Sequence, residues 1–128
     1  MAIKSVDLMS LAEEQALTDE EPGRRSAISR AYYESFHRCL DWESEVFKRA
    51  RANTRKGSVH RQLLNRLDHP GQPCSPEQAR QAIKLHELLG RQRDRRVVAD
   101  YRLDDDVGDK LLKQQLRDAN QLFRACGD

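Results

Sequence analysis

The sequence predicts an all-α protein, a single antiparallel bundle of about five helices formed by residues 1–128. Three observations predict it. Apolar residues recur at three- and four-residue spacing in several segments, and no segment alternates with period two. Glycine and proline fall in a few short stretches that divide the chain into helix-length pieces. The composition, 38% hydrophobic and 34% charged, suits helices with one apolar stripe and a charged outer face.

The first predicted helix covers residues 5–17, with Val6, Met9, Ala12 and Ala16 on one face. Residues 18–24, containing Pro22 and Gly23, are expected to break it. The second and longest starts at Ser26 as its cap and runs to about Arg51. Ile28, Tyr32, Ser35, Cys39, Val46 and Ala50 set its inner stripe, widened by Ala31, Phe36, Leu40 and Phe47. Residues 53–57 end it, and a short helix follows over 58–68 with Val59, Leu63, Leu64 and Leu67 facing inward.

Residues 69–74 read as a loop around Pro70, Gly71 and Pro73. Ser75-Pro76-Glu77-Gln78 is a helix start: a capping serine, proline at the first helical position, and a glutamine that reaches back to the cap. The helix it opens carries Ala79, Ile83, His86 and Leu89 and reaches Tyr101, with Gly90 a weak point inside it. Asp104 to Asp106 are expected to cap the last helix, whose apolar face is Val107, Leu111, Leu112, Ala119, Leu122, Phe123 and Cys126.

The net charge of +2 says little, but its distribution says more. Seventeen of the basic residues are arginine, and Arg91, Arg93, Arg95 and Arg96 are clustered. Arginine matches phosphate and carboxylate with two parallel hydrogen bonds. The cluster therefore reads either as a phosphate site for RNA or a nucleotide, or as ion pairs to acids on neighbouring helices. Three well-separated cysteines with no Cys-x-x-Cys spacing fit reduced thiols in a cytoplasm and neither a disulfide framework nor a zinc site. Four scattered histidines and no glycine-rich phosphate loop give no expectation of a metal or cofactor. No apolar run approaches a membrane span.

Three polar constellations remain. Arg30, Tyr33, Glu34 and His37 fall at i, i+3, i+4 and i+7, one polar stripe beside the apolar one. An Arg30–Glu34 ion pair and a His37 satisfied near the core would also account for them. His60, in the first turn of the short helix, lies where an anion can bind and can exchange a proton near neutral pH. Arg96 and Asp100 are i,i+4 neighbours beside Tyr101, so Asp100 either orients Arg96 toward a phosphate or simply pairs with it.

Taken in order, Arg30-Ala31-Tyr32-Tyr33-Glu34-Ser35-Phe36-His37, then His60, then Arg96-Val97-Val98-Ala99-Asp100-Tyr101, the chain resembles a branch of the HEPN family. The resemblance spans about residues 27–123. It implies a helical bundle that dimerises and is encoded beside a nucleotidyltransferase or effector in toxin–antitoxin or antiviral defence systems. It further implies, for ribonuclease members, metal-independent cleavage by a histidine with an arginine steadying the phosphate. On this chain those roles would fall on His37, His60, Arg30 and Arg96, with Tyr33, Glu34, Arg93, Asp100 and Tyr101 contacting RNA or a nucleotide. Ribonuclease members carry Arg-x4-6-His late in the chain, and here no histidine follows Arg96. A non-catalytic module that binds RNA, a nucleotide or a partner protein, and a helical assembly protein with an ion-pair network, are the rival expectations.

Overall fold

The computed structural model describes residues 21–48, 58–70, 74–102 and 107–128. They form four helices: α1 (Glu21–Phe47), α2 (Val59–Asp68), α3 (Pro76–Tyr101) and α4 (Asp109–Ala125). No strand occurs among the described residues. The predicted helix over 5–17 and the stretch 53–57 lie outside them, as does the expected Asp104–Asp106 cap.

Helix α1 starts earlier than its sequence suggests. Pro22 and Gly23 were expected to break the chain, but both lie in the first turn. Proline is tolerated there because the first N–H groups of a helix have no internal partner anyway. Ser26 is consequently an interior residue and not a cap. The Ser75 prediction holds in detail: Gln78 N–H donates to Ser75 Oγ at 3.1 Å, and Ser75 N–H donates to Gln78 Oε1 at 3.0 Å. Helix α4 begins at Asp109 with Gly108 as its cap, so the capping position expected at Asp104–Asp106 lies further along, at Gly108. It closes with Gly127 at φ +99, which lets Gly127 N–H reach Arg124 O and Asp128 N–H reach Phe123 O.

Two apolar clusters order the helices. At one end Ala27 and Ile28 of α1 meet Ala99 of α3, Leu112 of α4 and Val107, which precedes α4. At the other, Tyr32, Phe36, Cys39, Leu40 and Trp42 meet Leu63 and Leu67 of α2, Leu85, Leu88 and Leu89 of α3, and Leu122 and Cys126. The start of α1 thus lies beside the end of α3 and the start of α4, so α3 runs antiparallel to both. Ala31 and Ala119, both fully buried, touch between α1 and α4. Helix α2 packs on α3, where His86 Nδ1 lies 2.9 Å from Leu64 O.

The inner face of α3 is rotated from the one expected. Ile83 is 42% exposed, while Ala82, Leu85, Leu88, Leu89 and Gln92 are buried. A polar ladder threads this core. Ser35 Oγ donates to Gln92 Oε1 at 2.7 Å, and Gln115 Nε2 donates to Ile28 O and Gln92 O at 3.0 and 3.2 Å. Arg95 closes it on Gln115 Oε1 at 3.1 Å. Hydrogen bonds offset most of the cost of burying these amides, although Gln92 Nε2 has no partner among the described residues. No helix among the described residues is long and apolar enough to cross a membrane.

Candidate functional site

The arginine cluster splits by helical period. Arg91 and Arg95, four residues apart, turn toward α4 and share the buried carboxylate of Asp118 at 3.2 and 2.8 Å. They are structural ion pairs. Arg96 faces the opposite way, toward the tyrosines of α1. Its Nε donates to Asp100 Oδ2 at 2.8 Å, and one Nη donates to Tyr33 Oη at 3.1 Å and to Tyr101 Oη at 3.3 Å. The guanidinium also lies 5.3 Å from the ring centres of Tyr33 and Tyr101 and 5.9 Å from that of Tyr32. Ser29 Oγ donates to Asp100 Oδ2 at 3.2 Å, fixing the carboxylate that fixes Arg96. Burial works against the Arg96 charge, but Tyr33, Tyr101 and Asp100 outweigh it and strengthen its hold on the proton.

His60, from the first turn of α2, meets this cluster across α1. Its Nδ1 lies 2.7 Å from Tyr32 Oη, and its ring sits 4.4 Å from Phe36 and 6.2 Å from Tyr33. Burial pushes the imidazole pKa below 6.5, and the charges of Arg96, Arg93 and His37 push it further down. His60 is therefore neutral at neutral pH. Burial likewise raises the Tyr32 phenol, against the pull of Arg93 and Arg96, so Tyr32 stays protonated. When Nδ1–H donates to Tyr32 Oη, Nε2 is left as an unprotonated acceptor.

Of the residues expected from sequence, Tyr33, His60, Arg96, Asp100 and Tyr101 come together. His37 packs edge-on against Phe36, ring centres 5.3 Å apart, and Arg93 is near enough for its charge to act on His60 and Tyr32. Arg30 is half-buried on α1, and no described contact joins it to the cluster. Glu34 departs from the expected polar stripe: at 1% exposure it faces the interior and is not available to a ligand. Tyr32, Ser29 and Phe36 were not anticipated as parts of the site. Tyr32 was legible in principle, since a tyrosine in an apolar stripe needs a partner for its hydroxyl once buried.

Chemically, the arrangement offers a fixed cation, two exposed tyrosine rings and an oriented neutral imidazole. Tyr33 is 38% and Tyr101 66% exposed, so both are open to solvent, with Arg96 over one part of each ring. No group of three or more metal-ligating side chains occurs among the described residues. A surface hollow of about 350 Å³ lies elsewhere, along α4, lined by Asp109, Lys110, Lys113, Gln114 and Arg117. Compared with known families, with curated proteins and with solved structures, the chain finds no match.

Proposed function

We propose that the Tyr33–His60–Arg96–Tyr101 cluster is an RNA phosphodiester site at which His60 serves as general base. The observation that carries this reading is the neutral, Tyr32-oriented imidazole of His60 beside the Arg96 cation. His60 Nε2 would take the proton of a ribose 2′-hydroxyl as that oxygen attacks phosphorus; the P–O5′ bond breaks, the departing 5′-oxygen takes a proton from water, and Arg96 steadies the charge gathering on the phosphoryl oxygens. Tyr33 and Tyr101 supply ring faces for the neighbouring bases. Such a reaction runs without a metal ion. It accords with the HEPN resemblance and with a place in a toxin–antitoxin or antiviral defence system, as a homodimer or with a nucleotidyltransferase or effector partner.

The test is cellular RNA incubated with the protein in excess EDTA. The wild type should give fragments ending in 2′,3′-cyclic phosphate. His60→Gln should lose about 100-fold or more in rate, at unchanged helicity. Intact RNA with folded wild-type protein sinks the catalytic reading.

One observation favours a second reading, a non-catalytic RNA or nucleotide binder. Arg96 already uses Nε and one Nη on Asp100, Tyr33 and Tyr101, which leaves less of the guanidinium for a transition state. That reading expects binding that weakens in Arg96→Gln, with no cleavage by any variant.

A further inference from the structure

The three cysteines look unrelated along the chain, yet two of them meet. Cys39 of α1 is fully buried, and Cys126, at the end of α4, is 8% exposed. Both belong to the same apolar cluster, and the nearby Cys126 thiol helps raise the pKa of Cys39. The backbone explains the meeting. Helices α1 and α4 run side by side in the same direction and touch through Ala31 and Ala119, two side chains small enough for close approach. Two helical turns further on, the same seam reaches Cys39 on one helix and Cys126 on the other.

A second feature adjoins Cys126. The Gly127 turn ends α4 just beyond it. Arg38, the neighbour of Cys39, then holds that turn to α1: one Nη donates to Cys126 O at 2.8 Å and to Asp128 Oδ1 at 3.1 Å, and Nε donates to Asp128 Oδ2 at 2.8 Å. Cys74 does not belong to that cluster and sits in the segment before α3.

We propose that Cys39 and Cys126 form a dithiol switch that a low-molecular-weight disulfide closes into a cross-link between α1 and α4, with the Arg38–Asp128 clamp governing access. Cys126, the more exposed thiol, loses its proton and attacks a sulfur of glutathione disulfide, releasing one glutathione and leaving a mixed disulfide. Cys39 then gives up its proton and attacks the Cys126 sulfur, releasing the second glutathione. Two thiols are oxidised and one disulfide is reduced to two thiols, so atoms and electrons balance. Burial holds the Cys39 thiol protonated, which fits its place as the second nucleophile. This inference is independent of the RNA reading.

The test is the reduced full chain, incubated with glutathione disulfide, blocked with an alkylating agent under denaturing conditions and digested for mass spectrometry. The expected product is a Cys39–Cys126 linked peptide pair, with Cys74 left outside it. The cross-linked protein should melt higher, by on the order of 10 °C, because the bond closes a long loop. Three thiols that all stay free would overturn the proposal, and so would a glutathione adduct that persists on Cys126. Cys74→Ser, outside that apolar cluster, should behave as the wild type; loss of the cross-link in it would also overturn the proposal. Asp128→Asn loosens the clamp without touching the core, and should speed cross-linking roughly threefold or more. An unchanged rate rejects the Arg38–Asp128 clamp as the gate.

Discussion

Replacing Arg96 with glutamine separates its two roles, holding the fold and holding a phosphate. In the fold it makes one ion pair and two bonds to tyrosine hydroxyls, all partly exposed. An i,i+4 pair of this kind contributes about 0.5 kcal/mol once solvent screening is counted. The hydroxyl bonds and the contacts with the three rings add a few tenths each, since water replaces them readily. The total is about 1–2 kcal/mol, or roughly 5 °C in melting temperature for a domain of this size. For RNA the consequence is different in kind. Loss of one phosphate contact should weaken binding about tenfold and lower the slope of log affinity against log salt by about one. Arg96→Lys keeps the charge and loses the fork, so its salt slope should stay near wild type while its affinity falls. Fluorescence anisotropy with a labelled RNA across a salt series reads both quantities. An affinity and slope both unchanged in folded Arg96→Gln would refute the reasoning.

Four further outcomes follow from the geometry. Because His60 titrates below 6.5 in the fold, cleavage should be flat above that pH and fall only below it; Arg96→Gln removes one of the lowering charges and should move that limb to higher pH. The same depression makes the unfolded chain bind the proton more readily. The stability linked to His60 is therefore full above about 6.5 and is lost as pH falls through the folded value, a component that a denaturation series on His60→Gln should lack. Gln115→Leu strips the buried donors from Ile28 O and Gln92 O and the acceptor from Arg95, and should cost about 1–3 kcal/mol by urea unfolding; a neutral result would mean the ladder carries no stability. Ser75→Ala removes the cap of α3 and should cost about 1 kcal/mol, with no change in RNA binding.

The parts of this molecule readable from sequence are those set by local rules. The Ser75 cap, the extent of α3 and the inward face of α4 depend on spacing within a few residues, and each came out close to expectation. The start of α1 did not, because Pro22 is a breaker inside a helix and a neutral residue in its first turn, and the sequence does not say which applies. The inner face of α3 was misassigned because Gln92 is buried and Ile83 is not. A buried glutamine is intelligible only once Ser35, from another helix, is seen to donate to its side-chain oxygen.

The candidate site divides in the same way. Arg96, Asp100 and Tyr101 lie within one turn and a half of helix, so their association was visible at once. That Arg91 and Arg95 pair with Asp118 while Arg96 turns to Tyr33 depends on which helices flank α3. The contact of His60 with Tyr32 joins residues 28 apart in the chain, and no local pattern announces it. The meeting of Cys39 with Cys126 is equally silent in the sequence, since it follows from α1 and α4 running in parallel.

The measurement that bears most directly on the central claim is a nuclear magnetic resonance titration of the protein with an RNA oligonucleotide, following the His60 imidazole and the signals of Tyr33, Arg96 and Tyr101. Shifts should concentrate on these four residues and diminish in Arg96→Gln. Shifts gathered instead along Lys110, Lys113 and Arg117 of α4, or no shifts at all, would contradict it.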